Sequence, residues 1–356
     1  MRRAIDLARK AEGRTSPNPM VGALIVKQGK VLAEGYHKRA GGPHAEIEAL
    51  KKLGEKAKGA ILIVTLEPCC HEGKTPPCTD AIISAGIKEV VIGVRDPNPQ
   101  VRGKGIRKLK SAGLKVESGI LKEECQALIK YFSKFIQSGK PYVILKSAVS
   151  LDGKIATSIG ESKWITGPKA RKRVHQIRAR VDAILVGAQT VIKDNPRLTA
   201  RPTPQSERYP MRVLVDPNLR VPLNANVFYN AKKERVAVVT RPGHRARKKS
   251  LEKKGVFVIE IPEKRGTIPF KKVLENLGKM NIVSLLVEGG GETSSRILKD
   301  GEVDQVMWFL APILIGGRDA VSGLGGEGAK KLKDAWRLKK LKVEKVGHDI
   351  LIEGEL

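Results

Sequence analysis

Three short segments of this chain have to meet in space: His44-Ala45-Glu46, Pro68-Cys69 and Cys78. Together they offer one imidazole, two thiolates and a carboxylate that is not needed as a ligand. Three protein ligands leave the fourth position of a tetrahedral zinc open for water, whose pKa the metal lowers toward neutrality. That requirement constrains the fold. Ala60 to Leu66 (AILIVTL) reads as a buried strand that delivers Glu67-Pro68-Cys69 at its end. His44 to Leu53 (HAEIEALKKL) reads as a helix with apolar residues at Ala45, Ile47, Ala49, Leu50 and Leu53. Cys78, after Pro76-Pro77, opens another helix. One strand end and two helix N-termini are therefore expected to converge, and helix N-termini favour the negative charge of thiolates.

Cys70 and His71 are rival ligands. Cys69 and Cys78 are preferred, because Cys70 and His71 have to point elsewhere if Cys69 points in. Each piece alone has an ordinary explanation, since buried cysteines and a chance His-x-Glu are common. Their combination at element ends argues for a metal site. It matches the zinc nucleobase deaminases, which pair His-x-Glu with a later Pro-Cys and a second Cys, the Glu carrying protons. His44, Cys69 and Cys78 are then the expected Zn2+ ligands and Glu46 the catalytic residue.

At 356 residues the chain exceeds what one core usually fills, so two domains are expected. The break falls at Gly139-Lys140-Pro141, where proline ends a helical run, giving domains 1–141 and 142–356. The first alternates strands near 21–27, 31–36, 60–66, 89–94 and 114–117 with helices near 44–53, 78–85, 103–112 and 122–138. Its first two strands flank Gln28-Gly29 and should form a hairpin. The other strands follow helices, which implies a mostly parallel sheet covered on both faces. The N-terminal MRRAIDLARKAEG reads as an amphipathic helix with Ala4, Ile5, Ala8 and Ala11 on one side, without the apolar core of a signal peptide. The second domain is also α/β, with strands near 142–149, 183–187, 212–216, 236–240, 256–261, 284–288 and 303–310 and one C-terminal strand over 341–353.

The net charge of +30 raises the question of nucleic acid. Residues 1–141 carry 26 Lys+Arg against 14 Asp+Glu, and the remainder 41 against 23, so the excess is spread over both domains. Aromatic residues are only 4%, leaving few platforms for stacking bases. The charge therefore suits a solvated surface and anionic small substrates, with no nucleic-acid partner. No run of eighteen apolar residues occurs, so no membrane partner is expected either. Four cysteines, three of them clustered, point to a metal in a reducing cytoplasm.

Further segments carry a family resemblance. They are Ser16-Pro17-Asn18-Pro19-Met20-Val21-Gly22, Gly41-Gly42-Pro43, the long loop Glu67 to Thr79 with Lys74 in it, and Asp96-Pro97-Asn98-Pro99. The first half resembles the deaminase part of the bifunctional riboflavin-biosynthesis deaminase/reductases. Ser147 to Lys154, Glu161 to Thr166, Gly187 to Val191, Asp194 to Thr199 and the glycine turn Glu288-Gly289-Gly290-Gly291 resemble the reductase part. The resemblance covers nearly the whole chain. It implies an α/β architecture with an N-terminal cytidine-deaminase-like three-layer domain and a C-terminal dihydrofolate-reductase-like domain that uses NADPH. It implies cofactor contacts at Ala148, Trp164, Thr190, Asp194 and the turn Gly290, Gly291, Glu292, Thr293, Ser294, Ser295 and Arg296. It implies substrate contacts at Ser162, Arg178, Leu198, Arg201 and Glu288, and in the first domain at Asn18, Lys74 and Asn98. One departure is Pro217, where some relatives carry Ser beside the cofactor. The implied substrate is 2,5-diamino-6-ribosylamino-4-pyrimidinone 5′-phosphate, a small phosphorylated pyrimidine that is deaminated and then reduced on its ribosyl side chain. A homo-oligomer is possible for such an enzyme. Two other classes share the zinc motif: a tRNA-editing deaminase with an RNA-binding C-terminal domain, and a structural zinc protein whose site a fourth ligand would close.

Overall fold

The structure is a computed structural model that describes all residues except 73–75, 204, 205 and 265. The expected substrate contact Lys74 lies outside the described residues. The chain divides into two compact units, Met1–Lys140 and Pro141–Leu356.

The first unit runs α1 (Arg2–Arg9), β1 (Gly22–Lys27), β2 (Lys30–Tyr36), α2 (Ala45–Leu50), β3 (Ile61–Leu66), α3 (Cys78–Ser84), β4 (Glu89–Val94), α4 (Lys104–Ser111), β5 (Lys115–Ser118), α5 (Lys122–Leu128) and α6 (Lys130–Ser138). Its sheet has the order β2-β1-β3-β4-β5. Gln28 and Gly29 both take positive φ, which makes the tight turn that a two-residue hairpin requires. The sheet is more mixed than expected. β3, β4 and β5 are parallel, but β1 pairs antiparallel with both β2 and β3. Sequence order could not reveal that β3 docks beside the hairpin's first strand. The run 122–138 also forms two helices rather than one, broken at Ile129, whose φ of −108° is not helical.

Two glycines explain the layering. Gly22 and Gly35 sit in register with Tyr36 and Ala23 respectively, so they face opposite sides of the sheet. A Cβ on Gly22 would run into the backbone of Ala4 and Ala8 in α1, and one on Gly35 into Ala45 and Ala49 of α2. One helix thus packs backbone-close on each face. The core on the α2 face holds Ile25, Leu62, Ile82 and Ile92, all fully buried, each contributing roughly 1.5–3 kcal/mol. The close contact of α2 with β2 sets the height of His44 and Glu46 above the sheet.

The second unit contains β6 (Tyr142–Ser150), β7 (Lys154–Ala156), α7 (Pro168–Arg178), β8 (Ala183–Gly187), α8 (Ala188–Asp194), β9 (Ala200–Thr203), β10 (Ser206–Arg208), β11 (Met211–Val215), β12 (Val236–Thr240), α9 (Arg245–Lys253), β13 (Phe257–Glu260), α10 (Phe270–Lys279), β14 (Ser284–Val287), α11 (Gly291–Lys299), β15 (Gln305–Ala311), β16 (Val321–Ser322), β17 (Lys339–Val346) and β18 (Asp349–Glu355). Nine of these strands form one sheet in the order β13-β12-β11-β8-β14-β6-β15-β18-β17. The strands from β13 to β15 are parallel, as helical crossovers require, and the last two are antiparallel. The expected single strand over 341–353 is in fact the hairpin β17–β18. Gly347, at φ +74°, makes the turn, and an isolated glycine in an alternating run was the available sign of it. No helix is long and apolar enough to cross a membrane among the described residues.

Candidate functional site

In the first unit His44 is the residue before α2, Cys69 follows β3, and Cys78 is the first residue of α3. His44 Nδ1 lies 3.2 Å from Cys78 Sγ and 3.5 Å from Cys69 Sγ. The three donor atoms are within 4.8 Å of one another. Ligands around a tetrahedral zinc stand about 3.5–4 Å apart, given bonds of about 2.0–2.3 Å, so this set fits the metal. Cys70 and His71 do not belong to the cluster. No fourth protein ligand closes it among the described residues, as a structural zinc site would need.

The electrostatics of the cluster call for a cation. A hydrogen bond with the Cys78 thiol, opposed by burial and helped by His44 and the Cys78 amide, brings Cys69 down to about 4. The same bond and burial push Cys78 up. Without a cation the pair holds one negative charge between two sulfurs, whereas zinc stabilises both as thiolates. Glu46, in the first turn of α2 and only 4% exposed, is raised to about 7 by burial.

Two positioning features were not legible in the sequence. His37 is 2% exposed and stands edge-on to the His44 ring, with ring centroids 5.6 Å apart. Its Nδ1–H donates to Pro43 O at 2.9 Å, so Nε2 accepts from Asn18 Nδ2 at 3.1 Å. Burial lowers its pKa, which favours this neutral tautomer. The Asn18 amide is thereby oriented, and its Oδ1 takes no bond among the described residues. Glu67, buried beside the metal ligands, accepts from the backbone amides of Asp96, Gly103 and Ile106 at 3.2, 3.0 and 3.1 Å. It ties down the Asp96-Pro97-Asn98-Pro99 loop. Asn98 itself uses its side-chain oxygen within that loop, accepting from Gln100 N at 3.0 Å.

The second unit contains a cavity of about 1380 Å³ along the carboxyl ends of its central strands. Ala148, Trp164, Thr190, Asp194, Gly290, Gly291, Glu292, Thr293 and Arg296 line it, as do Ser162, Arg178, Leu198, Arg201 and Glu288. Ser294 and Ser295 do not. Both are buried, because a helix that turns positions 292, 293 and 296 toward the cavity turns 294 and 295 into the core. Pro217 lines the cavity too.

Glycines let the chain pack closely on itself at this turn. A Cβ on Gly289 would strike Thr293, and one on Gly291 would meet Ser322 O and Gly325 N. Helix α11 starts at this turn without a side-chain cap, so its first amides are available to a phosphate. The residues therefore fit a dinucleotide pyrophosphate.

Beside the glycine turn Arg178 donates to both Glu288 oxygens at 2.7 Å, and to Thr199 O at 3.3 Å. Arg178 and Glu288, both expected to contact the substrate, are thus paired with each other in the wall of the cavity. Lys146, which the sequence reading passed over, stands 3.8 Å from Glu288. A lysine in the otherwise apolar strand Tyr142 to Leu145 was the signal. Burial raises Glu288, but Arg178 and Lys146 outweigh it and hold the carboxyl at about 2. Arg201 is exposed, with one bond to Thr199 Oγ1 at 3.1 Å, and is the better placed of the two arginines for a phosphate.

These geometries agree with known proteins. Residues 1–94 match the cytidine and deoxycytidylate deaminase zinc-binding region, and residues 141–352 match the RibD C-terminal domain. The riboflavin biosynthesis protein RibD of Actinobacillus pleuropneumoniae is 45% identical over 353 residues, covering 99% of this chain and 93% of the relative. The RibD structure from Acinetobacter baumannii superposes with a TM-score of 0.89 at 38% identity, covering 100% of this chain and 97% of that one. A diaminohydroxyphosphoribosylaminopyrimidine deaminase/5-amino-6-(5-phosphoribosylamino)uracil reductase from Thermotoga maritima gives 0.87 at 41% identity, covering 100% and 97%.

Fold and sites define a bifunctional enzyme, a zinc-dependent pyrimidine deaminase joined to a dihydrofolate-reductase-like, NADPH-dependent reductase. The RNA-binding alternative for the second domain is set aside by the RibD match over residues 141–352. The chain belongs to the RibD family of riboflavin biosynthesis proteins.

Proposed function

We propose that residues 1–141 deaminate 2,5-diamino-6-ribosylamino-4-pyrimidinone 5′-phosphate and that residues 142–356 reduce the ribosyl chain of the product to ribityl. The observation that carries the first half is the convergence of His44, Cys69 and Cys78 on one point beside the buried Glu46. Zinc held there supplies a water that is acidic near neutrality. Glu46 would carry two protons in turn, one from the attacking water to the ring nitrogen and one from the hydroxyl then left on the ring carbon to the departing exocyclic amine. A C–O bond forms, the C–N bond breaks, and ammonia leaves. Asn18, held by His37, offers an acceptor oxygen to the substrate's amino groups, and Lys74 and Asn98 complete its contacts.

In the second domain NADPH supplies a hydride. Gly290 to Thr293 would hold its pyrophosphate through backbone amides, while Ala148, Trp164, Thr190, Asp194 and Arg296 would border the rest of the dinucleotide. Arg201 and Ser162 hold the substrate phosphate, with Leu198 beside them. Arg178 keeps Glu288 ionised and fixed in the floor of the site. The substrate is a small phosphorylated pyrimidine, with no nucleic-acid or membrane partner. A reducing cytoplasm suits four free cysteines, and self-association into a homo-oligomer is compatible with this organisation.

The test is Glu46→Gln, which keeps shape but cannot carry protons. Deamination should fall roughly 100- to 10,000-fold, with zinc content unchanged and reduction of already deaminated substrate retained. Deamination near the wild-type rate would remove Glu46 from the mechanism.

A further inference from the structure

Arg220 stands at one end of the second-domain cavity with nothing yet to do. It follows β11, lines the cavity, is exposed to it, and makes no side-chain hydrogen bond or ion pair among the described residues. The turn that presents it is firmly built. Asp216 Oδ2 accepts from Val221 N at 2.8 Å, Leu219 N donates to Asp216 O at 3.2 Å, and the Leu219 side chain is buried.

The strand order says what part of a dinucleotide reaches this turn. Across the carboxyl ends the sequence is β11, β8, β14, β6. The pyrophosphate turn follows β14. Lys146 and Ala148 belong to β6, and Lys146 faces the Arg178–Glu288 pair at 3.8 Å; the substrate and the nicotinamide must meet there. The adenosine half therefore runs the other way, over Gly187 at the end of β8 and toward β11. Two strand spacings separate β14 from β11, about 10 Å, which is the span of one nucleoside.

We propose that Arg220 reads the 2′-phosphate of the cofactor's adenosine and so sets the choice of NADPH over NADH. The proposal rests on the NADPH reading above and names the residue behind it. A site built for an unphosphorylated ribose places a carboxylate to accept from the 2′-hydroxyl. The carboxylate at this strand end, Asp216, is 1% exposed, and its Oδ2 is occupied by Val221 N. A planar guanidinium in its place suits phosphate oxygens. The other arginines along the cavity are placed differently: Arg171 is over Trp164 at 4.6 Å and Arg197 over Tyr229 at 5.2 Å, Arg178 pairs with Glu288, Arg201 donates to Thr199, and Arg296 is on α11, on the pyrophosphate side.

The test is calorimetric titration of the full chain with adenosine 2′,5′-bisphosphate and with AMP, repeated with NADPH and NADH by fluorescence. Wild type should prefer the bisphosphate. Arg220→Ala should weaken the bisphosphate and NADPH about tenfold, the lower end for an exposed charge-assisted bond, and leave AMP and NADH unchanged. Arg220→Lys should recover part of the preference. Retention of the wild-type preference in Arg220→Ala, or its loss in Lys193→Ala instead, overturns the assignment. Failure of wild type to bind any of the four ligands would refute the NADPH reading itself, which keeps the two outcomes apart.

Discussion

Replacing Arg178 with methionine, which keeps most of the side chain's length and removes its charge, tests whether the Arg178–Glu288 pair holds the second domain together. The side chains are 17% and 8% exposed, so solvent screens them little. Arg178 and Lys146 bring Glu288 from an ordinary 4.5 down to about 2 against the pull of burial. That difference corresponds to about 3 kcal/mol, within the order expected when one partner of a buried pair is removed. The folded-state pKa lies below the unfolded one. The contribution is therefore complete above about pH 4.5 and is lost as pH falls toward 2. All three tryptophans, Trp164, Trp308 and Trp336, lie in the second unit, so tryptophan fluorescence during urea unfolding reports on that unit. Wild type should exceed Arg178→Met by about 3 kcal/mol at pH 7 and by less than half of that at pH 3. A difference below about 1 kcal/mol, or one that does not change with pH, would refute the argument that this pair stabilises the ionised carboxylate.

Metal analysis should find about one zinc per chain, lost in Cys69→Ser and Cys78→Ser and kept in Cys70→Ser; an empty site in Cys70→Ser alone would reverse the ligand choice. Arg201→Ala should raise the reductase KM for the phosphorylated substrate by roughly tenfold with the NADPH KM unchanged, and Arg201→Lys should recover only part because the fork is lost. An effect confined to the NADPH KM would move Arg201 into the cofactor site.

The chemistry of the first site was legible in the sequence because ligand identity is a property of single residues. His44, Glu46, Cys69 and Cys78 together matched one chemistry, with Cys70 and His71 as the rival ligands, and the strand Ala60 to Leu66 delivered Cys69 by local rules. Helix and strand periodicity likewise exposed most elements of both domains. What depends on pairing between distant segments was not legible. No local pattern tells β3 to lie antiparallel to β1, or Glu67 to bind three amides about thirty or more residues further on, or His37 to fix the tautomer that orients Asn18. The same limit hid the pairing of Arg178 with Glu288, more than a hundred residues away. It also hid Ser294 and Ser295 inside the core, because which side of α11 faces the cavity is set by what packs behind it. Residue type determined which reactions the chain can support. Only the tertiary structure decided which groups are free to act, since a charge or an amide is available to a ligand only after the fold has settled what else it bonds to.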